Sequence, residues 1–324
     1  MQKGPFITGS DITVYELNTD LTPTGKTYAS QISDNSGRFG ISNINLVSSR
    51  IAVKATGYYY NENTGSLSAA PLSLQAIGDI GTDSSLNVNM LTHLEKPRVE
   101  FLMQQGMSYA QAKQQAQTEV LSIFNITNTS LPFSETLNIS QNDPGNTVLL
   151  AVSCLLQGFR SEAELTELLT NISYDIKNDG VLNDAALGSA LINHASYIDT
   201  VAVRNNLVSR YNSLGISAAI PHFEPYIQNF ISQTSFVVTE SLISYPASGM
   251  YGQNLLNLSQ TVYPANINLS LAAQLKPQTS VKIIIRRVSG GGMWLYTMSS
   301  GVNWTISPVD YESNSQILHL LCPE

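Results

Sequence analysis

The amino-acid sequence predicts a multi-domain α+β protein: an N-terminal β-sandwich over residues 1–91, an all-α helical domain over 92–232 and a β-rich, sandwich-like C-terminal domain over 233–324. Three observations predict it. A chain of 324 residues is long for a single core, so two or three domains are expected. The apolar period changes from two to between three and four after Leu91, and returns to two beyond Pro221 and Pro225. Turn residues recur about every ten positions through the first stretch, which is the rhythm of short strands in a sandwich.

The elements follow in order. Residues 12–17 and 27–32 alternate as strands, and 38–41 follow a tight Asp34-Asn35-Ser36-Gly37 turn. Residues 51–55 form a further strand that leads into Gly57 and three tyrosines, Tyr58, Tyr59 and Tyr60; Leu72 and Leu74 open another. Tyr109, Ala112, Ala116, Val120, Ile123 and Phe124 then recur on one helical face, with Ser108 and Gln111 as a capping box and Gly106 closing a helix before them. For that earlier helix Thr92 and Glu95 make a second capping box, but Pro97 falls inside it unless the helix begins there. Residues 126–143 read as a polar loop, and 147–156 as a helix stopped by Gly158. Ser161 and Glu164 cap a stripe of Leu165, Leu168, Leu169, Ile172 and Ile176, ended by Asn178-Asp179-Gly180. Asn183 caps a short helix, and Asp199 caps one carrying Val203, Leu207, Tyr211 and Leu214. Beyond Pro225, strands are expected at 236–238, 267–271, 281–288 and 293–298, the last two joined as a hairpin by Ser289-Gly290-Gly291-Gly292. The apolar end at 318–324 reads as a last strand, a truncated domain or an altered frame.

Composition narrows the function classes. Apolar residues make up 43% of the chain and charged residues only 12%, about half the usual share. Ser, Thr, Asn and Gln replace the missing charge, a surface common among extracellular β-rich proteins. The net charge is −8 with a pI near 5.0, and the 16 Lys and Arg are scattered. Nucleic acid is therefore excluded as a partner, since counterion release needs several basic contacts on one face. Anionic membrane surfaces repel such a chain, and no apolar run approaches the ~20 residues that span a bilayer. The two cysteines, Cys154 and Cys322, give no disulfide framework; Cys154 lies in an apolar helical run and reads as a buried thiol.

Candidate chemistry is sparse. The four histidines, His93, His194, His222 and His319, are isolated, with no HExxH and no zinc spacing. No GxSxG elbow occurs. From Asp175 an EF-hand would need an oxygen ligand at Lys177 and an acid at Ala186, so a helix end is the better account of Asp179-Gly180. No metal or cofactor is expected. The aromatic side chains supply the candidate ligand contacts: Tyr59, because three successive tyrosines cannot share one strand face, and Trp294 with Tyr296 on one face of the C-terminal hairpin, where an exposed pair could stack on a sugar or seat a partner. A hydrolase built on a dispersed carboxylate pair stays open.

Thr24-Gly25-Lys26, the Asp34-Asn35-Ser36-Gly37-Arg38-Phe39 turn with Ile41, and Val53-Lys54-Ala55-Thr56-Gly57-Tyr58 resemble the carboxypeptidase regulatory-like family, which has a transthyretin-like β-sandwich. The resemblance implies that fold for residues 1–91. The His, Arg and C-terminal Tyr-Arg-Gly-Ser features of the transthyretin-like purine-pathway hydrolase are missing. Leu91-Thr92-His93-Leu94, Gln105-Gly106-Met107-Ser108 with Ala110 and Ala112, and residues 120–126 resemble the helical segment of bacterial envelope lipoproteins. Such lipoproteins carry a lipidated cysteine ahead of the sandwich, near where Met1 stands. The resemblance thus implies a mature form lacking its targeting segment, in the cell envelope, anchored to the outer membrane or extracellular, and touching the membrane only through a lipid absent from this chain. A non-enzymatic role in adhesion, scaffolding or ligand presentation to a protein or glycan partner is expected, with a glycan-binding accessory protein and a hydrolase as alternatives.

Overall fold

The computed structural model describes residues 5–42, 44–81, 85–127 and 130–239, together with the backbone of five strands between 243 and 321. Residues 1–239 form one compact unit and residues 240–324 a second. The chain is mixed α+β, with an antiparallel sheet followed by seven helices among the described residues.

The sheet holds β1 (Asp11–Leu17), β2 (Pro23–Gln31), β3 (Arg50–Gly57) and β6 (Leu72–Asp79) in the order β2-β1-β3-β6, and β4 (Tyr60–Asn61) and β5 (Ser66–Leu67) make a small separate hairpin. Register puts Val14 opposite Val53 and Val53 opposite Ala76, with Ile12, Ala55 and Leu74 in the next row, so these apolar side chains share one face. On the other face Leu17, Ala52 and Ile77 meet Val99, Leu102, Tyr109, Ala112 and Ala116 of α1 (Met90–Gln104) and α2 (Tyr109–Ser122). Period-two alternation therefore feeds two cores, one per face.

Helix α1 also covers the free edge of β6. The backbone N–H of Gln75 donates to His93 Nδ1 at 3.2 Å, and Thr92 Oγ1 donates to the Gln75 carbonyl at 3.1 Å. An open strand edge is a template for unwanted pairing, and a helix laid along it removes the hazard. The cap of α1 is Asn89, with Thr92 as its reciprocal partner, in place of the expected Thr92–Glu95 box, and Pro97 lies inside the helix. Glu95 is unavailable for capping because it is buried against Lys113.

Helix α3 (Pro144–Gln157) is the central element, buried from Gly145 to Gln157. It begins before the expected 147 because Asp143 accepts from the Asn146 N–H at 2.9 Å and Pro144 occupies the first turn, where its missing N–H costs nothing. Helix α4 (Glu162–Ile176) has the expected Ser161–Glu164 box and buries the expected stripe. Helix α5 (Ala185–Ala195) is capped by Asp184, one residue past the expected Asn183, and α6 (Thr200–Ser213) by Asp199.

Two expectations are corrected. Residues 236–238 are not a strand: Phe236 packs on Phe230 at 6.2 Å between ring centroids, while Val237 and Val238 are exposed. Just before them lies a helix that the sequence reading missed, α7 (Glu224–Gln233), in which Pro225 sits in the first turn and Ile227 and Phe230 face inward. Residues 38–41 are irregular and lie over the sheet without joining it. One hydrophobic core runs from the β1–β3–β6 face through α1 to α7, so the expected boundary at residue 91 marks a change of secondary structure within a shared interior.

In the second unit β9 (Ser280–Arg286), β10 (Thr305–Glu312) and β11 (Ser315–Leu321) pair in the order β10-β11-β9, and β7 (Ile243–Ser244) pairs with β8 (Gln274–Leu275). The strands expected at 267–271 and 293–298 lie outside the described residues.

Candidate functional site

A cavity of about 510 Å³ lies on the Val14–Val53 face of the sheet. Its floor is Val14 of β1 with Ile51 and Val53 of β3; Phe39, Ile41, Ile44 and Leu46 wall one side, Ile80 and Leu86 another, and Tyr211 and Ile216 close it from the end of α6. Pockets of a few hundred cubic ångströms with apolar walls and few polar groups are the usual form of small-molecule sites.

The 36–48 segment is held over this face by side chains of the sheet. Asp34 accepts from the Ser36 N–H at 2.8 Å, which makes the turn, and the Ser33 N–H donates to the Arg38 carbonyl at 2.9 Å. Ser30 Oγ then donates to the Gly40 carbonyl at 2.8 Å and the Tyr28 hydroxyl to the Asn45 carbonyl at 2.9 Å. Glu16, on β1, takes the far end: its buried carboxylate accepts from the N–H groups of Val47 and Ser48, the latter at 3.0 Å, and from Thr24 Oγ1 at 2.9 Å. These donors, the Ser48 amide foremost, bring Glu16 down to about 2. Backbone amides on the segment thus find acceptors without the segment entering a sheet, which is why an apolar space is left beneath it.

The polar groups around the cavity are few. Arg38 is the one charged residue of the lining, which contains no carboxylate. Asn138 and Ser140 bond each other, Ser140 Oγ donating to Asn138 Oδ1 at 2.7 Å. Tyr211 differs from them. It is the last member of the buried α6 stripe after Val203 and Leu207, it is 3% exposed, and its hydroxyl has no hydrogen-bond partner. Such a buried hydroxyl costs about 1–3 kcal/mol. Burial first, then the negative charge of Glu62, pushes its phenol well above the ordinary tyrosine range, so it keeps its proton.

The candidate ligand residues from sequence do not meet at this site. Trp294 and Tyr296 lie outside the described residues. Tyr59, taken as a surface contact, is corrected: it is fully buried and its hydroxyl donates to Gln157 Oε1 at 2.9 Å, while Tyr58 is the outward member at 45% exposed. The bridge between Phe6 and Tyr59 turns that side chain into the core, and its neighbour outward. Sequence reasoning placed Phe39 and Ile41 on one face and Tyr211 in a stripe without seeing that they converge. The signal available was chemical: a tyrosine ending an apolar stripe carries a polar tip that needs a partner.

Ionisable groups elsewhere are paired. Lys113 Nζ sits 2.8 Å from both Glu95 and Glu135, with the Ser134 hydroxyl also donating to Glu95. Burial opposes the charge of Lys113, but the two carboxylates overcome it and hold the ammonium protonated; Glu95, the more buried acid, is pushed up by burial. Arg98 clamps Glu119 at 2.7 Å and donates to the carbonyls of Lys177 and Asn178 at 3.2 and 2.7 Å, which places a guanidinium at the C-terminal end of α4. Gly180 is required there, since a Cβ would stand 2.1 Å from the Glu119 carboxylate. His93 accepts from Gln75, and burial lowers it to about 4; His194 accepts from the Phe159 N–H at 3.1 Å. Among the described residues, no three His, Cys, Asp or Glu side chains group as metal ligands, and no helix is long and apolar enough to cross a membrane.

No family model matches the chain, and neither a curated protein nor a solved structure is found to be similar to it.

Proposed function

We propose that this chain is a non-catalytic binding module of the bacterial cell envelope, and that of adhesion, scaffolding and ligand presentation, its role is to hold a small apolar molecule. The observation that carries this reading is the cavity between the Val14–Val53 face and the 36–46 segment, with aliphatic and aromatic walls. The hydrolase alternative needs two carboxylates facing an open cleft, whereas Glu95 shares Lys113 with Glu135 and both Glu95 and Lys113 are closed to solvent. A carboxypeptidase regulatory-like sandwich is supported by the antiparallel β2-β1-β3-β6 order and by a covering layer at 36–46 where a second sheet would lie.

The test is titration with a neutral naphthylamine dye that brightens in apolar surroundings. Saturable binding is expected, and Ile216→Trp, which fills the cavity from its rim, should abolish it with far-UV circular dichroism unchanged. Dye binding that survives the filled cavity would sink the reading. For the envelope assignment, a lipobox cysteine is expected in the coding sequence just ahead of Gln2 or Lys3. A start codon at Met1 with no export signal upstream would count against it.

A further inference from the structure

The lining of the cavity carries information about the ligand's head as well as its body. Tyr211 reaches it from the end of α6 with a hydroxyl that is buried and has no partner within the protein. A phenol in that position holds a free proton to donate, and the ordinary resolution of an orphaned buried donor is an acceptor supplied from outside the chain. The other polar groups of the lining do not compete for that acceptor, since Asn138 and Ser140 are bonded to each other. Charge then narrows the choice. No carboxylate lines the cavity, so a cationic head has no counterion there. An anionic head at Tyr211 would face the field of Glu62, which is buried, bonded to Ser153 Oγ at 2.8 Å and close enough to act on the phenol. Arg38, the one cation of the lining, is exposed to water.

We infer that the cavity selects an uncharged molecule, apolar along its length, whose single hydrogen-bond-accepting oxygen (a ketone, ester or amide carbonyl) takes the proton of Tyr211. This rests on the ligand-binding reading above and names the chemistry of its occupant. Size follows from volume: at about 30 Å³ for each water-sized group, a space of about 510 Å³ takes roughly ten to seventeen non-hydrogen atoms. Val14, Ile51 and Val53 face the body of the ligand, and Tyr211 fixes its polar end.

The experiment is displacement of the naphthylamine dye from the full chain by four compounds of equal chain length, about ten carbons: an alkane, a methyl ketone, a carboxylate and a trimethylammonium. The ketone is expected to compete about five- to tenfold better than the alkane, the span of one net hydrogen bond, and better than either ion. In Tyr211→Phe the ring and the dye affinity remain, and the advantage of ketone over alkane should vanish; the variant loses only an unpaired hydroxyl, so it should melt at the same temperature or higher. A ketone advantage that persists in Tyr211→Phe overturns the assignment, as does a carboxylate or ammonium that outcompetes the ketone in the unaltered protein. Those results leave the cavity intact as a binding site. Dye that fails to bind, or that binds equally after Ile216→Trp, overturns the cavity and this inference together.

Discussion

Single side chains in this protein decide more than their positions in the sequence suggest. Glu16 alternates with apolar neighbours on β1 and would pass for a solvent-facing strand residue, yet it points into the interior and binds the amides of Val47 and Ser48. Its folded-state pKa of about 2 lies below the ordinary 4.5, so its stabilisation is complete above about 4.5 and is lost as pH falls through about 2. Glu16→Gln is therefore expected to lower the denaturation midpoint at pH 7. The gap to the unaltered protein should narrow steadily as both are unfolded at lower pH. A gap of constant size between neutral and acid solution would show that the carboxylate's charge plays no part. Gly57 gives the same lesson about space. The sequence suggests a bend after a buried strand, but the structure shows a close approach: a Cβ there would stand 2.9 Å from the Ser10 Cα and nearer still to its side chain. Neither role could be seen without the partner, which lies 31 and 47 residues away in the two cases.

At the level of elements, helix signals with a local cause were the legible ones. The Ser161–Glu164 and Ser108–Gln111 boxes, the Asp199 cap and the closing turn at Gly106 all depend on groups three or four residues apart. Where a second element competes for a side chain, the local reading shifts. Glu95 leaves its capping role for Lys113 on α2, and Asn89 takes the cap; its amide also donates to the Ser134 carbonyl at 2.7 Å, tying α1 to the 3-10 turn Ser134–Thr136. Asn89→Ala should cost roughly 2 kcal/mol, from the cap and this second bond together. Chemical denaturation measures it, and a loss below about 0.5 kcal/mol would mean that Thr92 and water replace the cap. Helix α7 was missed because Pro225 reads as a breaker, although a proline in the first turn is a helix start. The strand expected at 236–238 was a β-branched pair with no sheet to join.

Across the whole of residues 1–239, the sheet and the helices share one interior, so they should unfold together. Leu74 on β6 is fully buried in that core. Leu74→Ala is expected to cost about 2–5 kcal/mol and to lower the midpoint of the helical signal at 222 nm as much as that of near-ultraviolet tyrosine signals. Both tryptophans, Trp294 and Trp304, fall in the second unit, so tryptophan fluorescence reports on that unit separately. If the helical signal held its midpoint while the sheet melted, the shared core would be disproved. Taken alone, the sequence determined the succession of strands and helices, most helix ends and the sparseness of reactive chemistry, because period, capping and composition act over a few residues. Only the tertiary structure decided that the sheet and the helices are one body, that Tyr59 is interior, and that Val14, Phe39 and Tyr211 enclose a single space. Those outcomes depend on contacts between residues far apart in the chain, and local periodicity carries no record of which distant faces will meet.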